Sequence, residues 1–483
     1  MNFKKSLWST AAIALTATTL LTGCGASGTA TSGSEGGVTN LTWYVIGSPQ
    51  RDTATVQEKI NEYTSEKIGV TVDIKSVDFG DYNQKMQVVS SSGEPYDLAF
   101  TAAWANDYLV NARKGAFLPI DDYLTTTEGQ ELYETIDARF WEGAKIGGET
   151  YGVPTQKEIS AAPMWVFTKE YVEKYDIPYE DIHTLQDLEP WLQLIKDNEP
   201  GVTPLYVSRD FSTPSSFDLL LEPLGVALNS EGELKVENIF ETPEKVQALE
   251  TMRDWYQKGL INSDGATAGD DKSIKRFVTK GDGQPYADVI WSKDLGYEVV
   301  TSEIMQPVIT NASTTGSLTA ISATSEHPEE AFKFLHLLNT DEYLRNLVNY
   351  GIEGTHYEKV NETQIKLLPE QKNYSMPYFA LGNMFNTYTL ENEPVTKWEE
   401  FVEFNNSGIT SPALGFKFDP TPVQTEVAAF RNVLDEFGAP LNTGTVDTTD
   451  YLKKLNDKLK SSGIDKVKEE MQRQLDEWVA ENK

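Results

Sequence analysis

Few residues in this chain could make or break bonds. It has one cysteine, Cys24, and four histidines, His183, His327, His336 and His356, with no HxH or HxxxH pair. No disulfide framework, thiolate zinc set or histidine metal site is expected from such spacing. GxSxG, P-loop, HExxH and EF-hand patterns are all missing. With 74 acidic residues, neighbouring carboxylates arise by chance and do not by themselves indicate glycoside hydrolysis. No catalytic residue, metal or cofactor is expected. The chemistry on offer is noncovalent: Trp104, Asn106 and Asp107 set a flat aromatic face beside an amide and a carboxylate, a mixture able to hold a hydroxyl-rich ligand.

The 483 residues allow two domains, and 39% hydrophobic with 24% charged residues is the composition of a globular protein. A formal charge of −33 repels phosphate backbones, so nucleic acid is not an expected partner. Most of the 10 Trp, 22 Tyr and 20 Phe must be core, leaving a minority to line a cleft. Lys4 and Lys5 precede an apolar stretch from Leu7 to Leu20, which predicts an export signal over residues 1–23. Leu21-Thr22-Gly23-Cys24 resembles the bacterial lipobox. That resemblance implies diacylglyceryl attachment to Cys24, and two acyl chains suffice for a stable anchor. Residues 24–37, rich in Gly, Ser, Thr and Ala, read as a flexible tether.

Strands and helices must position these groups. Leu41–Ile46, Val70–Ile74 and Tyr96–Phe100 predict strands, separated by helices at Thr55–Lys67 and Tyr82–Ser90, an order that argues for a parallel sheet. Met164–Phe167, Ala287–Trp291 and Leu318–Ser322 predict further strands. Thr184 with Asp187 predicts a capping box, Thr242-Pro243 a helix start, and Gly259 its end. Pro328 opens a helix with Ala331, Phe334, Leu335 and Leu338 inward, and the stripes Leu452/Leu455/Leu459 and Val467/Met471/Leu475/Trp478 predict a helical C-terminal region.

Gly115–Leu124, Gly147–Pro154 and Phe167–Glu170, in that order, resemble the extracellular solute-binding lipoproteins of ABC importers, of the family 1 sugar-binding type. Ala320–Ser325, Leu337–Tyr343, Tyr350–Gly354 and Phe418–Pro422 resemble a long subgroup with a DUF3502-like C-terminal region. Where that subgroup often carries tryptophan before Phe-Gly-Asn, this chain has Tyr378-Phe-Ala-Leu-Gly-Asn383.

The resemblance implies an α/β, two-lobed, periplasmic-binding-protein-like (type II) fold with discontinuous lobes, 38–154 plus 310–372 and 155–309 plus 373–483. It implies an oligosaccharide ligand, with a peptide as the alternative, and ABC permease subunits as partners. It also implies a monomer anchored through Cys24 on the outer face of the cytoplasmic membrane. Rival readings are a lipid-anchored sensor and a secreted glycosidase. Ligand should bind in the interlobe cleft beyond the carboxyl ends of strands. Resembling sugar binders carry tryptophan just past the third strand, where Trp104 stands. Trp291 is expected at the end of a strand in the second lobe, and Gln156, Lys157 and Glu158 at the first crossing. Arg51, Asp52 and Tyr82 follow the first two strands, while Tyr378, Phe379 and Asn383 begin the third crossing.

Overall fold

The computed structural model describes residues 37–230 and 232–482. The expected signal peptide, Cys24 and nearly all of the expected tether lie outside the described residues.

Leu41, Trp43, Val45 and Ile46 favour an extended chain and are wholly buried in β1 (Thr39–Ile46). α1 (Thr53–Ile68) turns Val56 and Ile60 inward and stops at Gly69, whose φ of 68° lets β2 (Val70–Val77) begin at once. β2 pairs in parallel with β1, Thr39 opposite Val70 through Ile46 opposite Val77. Past α2 (Tyr82–Ser92), β3 (Leu98–Thr101) joins the other side of β1 in parallel, and α3 (Tyr108–Arg113) follows it. β4 (Val153–Pro154) is the last strand of this sheet before the chain leaves it.

A second sheet begins with β5 (Ala162–Thr168). α4 (Leu185–Asn198) starts at Thr184 with both capping-box bonds to Asp187 made, and leads to β6 (Thr203–Leu205). α5 (Pro243–Gln257) starts at the Thr242 cap and buries Leu249, Met252 and Trp255. β7 (Arg276–Gly283), α6 (Ala287–Leu295) and β8 (Val299–Glu303) complete the sheet in the order β8-β5-β7-β6. β9 (Leu318–Ile321) then returns to the first sheet, whose order is β2-β1-β3-β9-β4. α7 (Pro328–Thr340) packs Phe334 against Trp43 with ring centroids 5.4 Å apart, and α8 (Glu342–Tyr350) follows. The chain ends in α9 (Gln424–Asn442), α10 (Thr448–Ser461) and α11 (Ile464–Asn482), which enclose Phe430, Leu455, Leu459, Met471 and Leu475.

Ala287–Trp291, expected as a strand, is the start of α6. A five-residue stretch with four apolar residues does not distinguish the two periods, and here Tyr286 and Gly296, both at positive φ, bracket a helix. The strand of that region is β7, hidden from sequence reading by Gly281 and Gly283. Those glycines are required because Trp291 lies against them, and a Cβ would meet its ring at 2.8 Å and 2.6 Å.

Passages between the sheets run side by side. Residues 155–161 leave the first sheet and 304–317 return to it. Beyond residue 372 the chain is still with the first sheet: Tyr374, Met376 and Leu381 share the core of Trp43, and Thr389–Leu390 pairs beside Gln364–Leu367. The helix Lys397–Ser407 then meets the first passage, where the Asn405 amide accepts from Ile159 N at 2.9 Å and donates to Lys157 O at 2.9 Å. Ile409–Thr410 pairs in parallel with Val308–Ile309.

Behind these passages, Lys417 Nζ donates to Gly143 O at 2.6 Å and Asn311 Oδ1 at 2.9 Å. Burial pushes this ammonium down to about 7, only partly offset by Asp218. The unfolded chain, with an ordinary lysine, therefore binds more protons between about pH 7 and 10.5, and folding stability gains from this group as pH rises through that window. Urea unfolding at pH 7 and pH 9 should show wild type gaining stability relative to Lys417→Met. A difference that stays flat with pH would show the ammonium to be well solvated.

Candidate ligand-binding site

A pocket of about 360 Å³ opens where the passages meet the two sheets. Glu158 reaches it from the first passage, Tyr286, Val289 and Ile290 from the start of α6, Tyr378 from the first-sheet side, and Trp398 and Phe401 from the helix at 397–407. The rings are organised. Tyr286 lies 6.4 Å from Phe401 at 23°, and Trp398 lies 5.4 Å from Phe401 at 65°. Trp398 Nε1 donates to Thr387 O at 2.6 Å. The Tyr286 hydroxyl donates to the Glu400 carboxylate, and desolvation together with that carboxylate raises the phenol well above its ordinary range. Val289 and Ile290 are exposed, an unusual position for aliphatic side chains unless something covers them.

From Tyr378 an aromatic wall continues along the first sheet's edge. Tyr378 and Phe379 meet edge to face at 6.0 Å, Phe379 and Trp104 at 6.3 Å, and Trp104 and Phe79 are near-parallel at 6.4 Å and 13°. Phe79, Trp104 and Tyr378 are 46%, 50% and 48% exposed, so each ring is held by its neighbours and still presents much of its surface to solvent. Trp104 Nε1 donates to Gly316 O at 2.8 Å, and Phe100 packs beneath the indole at 5.6 Å. Burial, then Glu158 and Glu393, raises the Tyr378 phenol, keeping it a neutral donor. Lys397, which lines the pocket, pairs with Glu393 at 2.7 Å, and the lining Glu158 pairs with Lys157. Aromatic faces, phenols and carboxylates together suit capture of a polyhydroxy ligand.

The structure brings Trp104, Phe379 and Glu158 to this surface, Lys157 entering through its pairing with Glu158. The other expected site residues lie away from the cleft pocket, and most are tied into the fold. Tyr82 is wholly buried, its hydroxyl 2.9 Å from Phe100 O, so it cannot reach ligand and props the Phe100 beneath Trp104. Asn383 is buried and accepts from Phe385 N at 2.9 Å as a helix cap. Asn106, at a φ of 46°, donates to Phe100 O and accepts from Asn111 Nδ2, both at 3.0 Å, while Asp107 caps α3 through Val110 N at 2.9 Å. Gln156 is buried, its amide oxygen taking Asp137 N at 2.8 Å. Asp52 accepts from His356 Nε2 at 3.3 Å; Ile352 N donates to the other ring nitrogen, which fixes that tautomer. Arg51 is exposed beside it. Trp291 is half-buried on Gly281 and Gly283 and lines a separate pocket with Arg276 and Lys280. Sequence reading missed Phe79, Tyr286, Trp398 and Phe401; only Phe79, just past β2, carried the same signal that marked Trp104.

Residues 47–344 match the model of the bacterial extracellular solute-binding protein family. The chain belongs to that family. Residues 412–480 match a domain of unknown function, DUF3502. Across all of both chains it is 31% identical to a carbohydrate ABC transporter substrate-binding protein of Streptococcus pneumoniae. Among solved structures it is similar to the N-glycan transport solute-binding protein NgtS of that organism, at 31% identity and a TM-score of 0.84 over 92% of this chain and 100% of that one. The complexes of NgtS with Man1GlcNAc and Man5GlcNAc align at TM-scores of 0.71 and 0.67, covering 91% and 92% of this chain and 99% of each of theirs. The two sheets and the helical end are thus the two-lobed, type II architecture of this family, with each lobe assembled from discontinuous segments.

Proposed function

We propose that this solute-binding protein captures a neutral oligosaccharide of the mannose and N-acetylglucosamine kind in its interlobe cleft and delivers it to an ABC permease. The carrying observation is the aromatic wall from Phe79 through Tyr378 to the pocket of Tyr286, Trp398 and Phe401, joined to likeness with a glycan-binding relative over the whole chain. We take one lobe as residues 38–154 with 310–390 and the other as 155–309 with 391–482, the third passage following Leu390. This chain aligns less closely with the two glycan complexes of NgtS than with its other structure, at TM-scores of 0.71 and 0.67 against 0.84, which supports lobes that move on binding. Calorimetric titration with Man5GlcNAc should give saturable binding, and the glycan should be recovered uncleaved. Small-angle scattering should show a smaller radius of gyration at saturation. No heat of binding with any glycan of this series, beside binding of a peptide panel, would replace the reading.

Anchoring through Cys24 belongs to the same proposal. No helix among the described residues is long and apolar enough to cross a membrane, and the lipobox-like Leu21–Cys24 supplies the attachment chemistry. Cys24→Ser should move the protein from the membrane fraction to the medium. Retention of the variant in membranes would point to another attachment.

A further inference from the structure

On the outer flank of the first lobe, a groove of about 750 Å³ runs between α2 and α3 and ends at Trp104. Its walls are two polar stripes at helical spacing, Asn83, Gln87 and Ser91 on one side and Asn111 with Lys114 on the other. Buried Asn106 braces both walls, its backbone N donating to Asn83 Oδ1 at 2.6 Å and its Oδ1 accepting from Asn111 Nδ2 at 3.0 Å. Each of those wall amides therefore keeps its other half for a ligand: a donor on Asn83 and an acceptor on Asn111, the pair of partners a sugar hydroxyl can use.

A chain of ring contacts spans the distance between the groove and the cleft pocket. Tyr378 lines the pocket, Trp104 lines the groove, and Phe379 touches both rings at 6.0 Å and 6.3 Å. At about 360 Å³ the cleft pocket is near the low end of the roughly 300–1,000 Å³ range of ligand sites, too small to enclose a branched oligosaccharide whole. Resting on the oligosaccharide reading above, we infer that the groove between α2 and α3 is a second subsite, which receives the distal, uncharged sugars of a long or branched glycan after they pass over Trp104. Hydrogen-bonding side chains line much of it, between apolar stretches at Val89, Tyr96 and Ala105 and with the Trp104 indole at its mouth, so it offers partners to hydroxyls along an arm.

The test compares Man1GlcNAc with Man5GlcNAc on the full chain and on Gln87→Trp, an exposed position where the new indole fills the groove midway. Calorimetry should show Man1GlcNAc binding unchanged, which also demonstrates a folded cleft, and Man5GlcNAc binding weakened tenfold or more. Ser91→Trp, one turn farther from the cleft, should weaken the long glycan in the same direction if Gln87→Trp fails to fold. Equal affinity of wild type and both variants for Man5GlcNAc overturns the subsite while leaving the cleft reading intact. Wild type that binds neither glycan overturns both.

Discussion

Trp104→Ala should weaken glycan binding by about 2 kcal/mol or more, a rise in Kd near thirty-fold, because a large aromatic at the centre of a contact commonly carries a disproportionate share of affinity. The unliganded protein should scarcely notice. Half of the indole is already in water, and what it makes internally is one hydrogen bond to Gly316 O, tilted ring contacts with Phe100 and Phe379, and a near-parallel contact with the equally exposed Phe79. Losing a single such bond costs about 1 kcal/mol, which shifts the melting temperature of a chain this long by roughly 2 °C or less. Trp43, wholly buried against Phe334, behaves in the opposite way: its truncation should cost about 3–5 kcal/mol of stability. Calorimetric titration of Trp104→Ala beside its melting curve separates the two roles. Wild-type affinity with a strongly lowered melting temperature would make Trp104 a packing residue like Trp43.

The contrast between these tryptophans also shows where sequence reading reached its limit. Trp43 and Trp104 lie on either side of what a local pattern can resolve: alternation and burial placed the first in a strand, and position past β3 placed the second at the sheet's edge. Backbone signals with a local cause were legible, as the Thr184 capping box, the Thr242-Pro243 start and the Phe334–Leu338 stripe show. The Ala287–Trp291 segment was not, because its apolar residues face a cleft rather than a core, and exposure of Val289 and Ile290 has no signature in a five-residue run. Polar residues misled for a related reason. Asn106, Asp107 and Asn383 were suited to hold hydroxyls, yet short side chains at turns satisfy nearby backbone groups first, and each does so here. Tyr286, Trp398 and Phe401 escaped notice because the pocket is built from separate segments, with Glu158, Tyr286 and Trp398 each more than a hundred residues from the next.

Arg345 holds the aromatic wall from beneath. Wholly buried on α8, it donates through Nε to Asn383 O at 3.0 Å, through Nη2 to Tyr378 O at 2.7 Å and through Nη1 to Asn349 Oδ1 at 3.0 Å. Burial lowers its pKa to about 10, which still leaves it charged at neutral pH. Its donors meet neutral acceptors, so the guanidinium's work is to hold the strip of chain that carries Tyr378 and Phe379 against α8. Arg345→Met retains bulk but leaves these buried acceptors without donors, at a cost of about 3–5 kcal/mol in stability. Lysine should rescue only part of this, since one ammonium cannot span three acceptors that a planar fork reaches together. Loss of stability alone would fit any buried brace. The distinguishing readout is glycan affinity measured on the folded fraction of Arg345→Met, which should fall although Arg345 lies beneath the wall and not on it. If that affinity stays at the wild-type value, the bond from Ser317 Oγ to Phe379 O and the Asn383 cap are sufficient to hold the wall, and Arg345 serves the core alone.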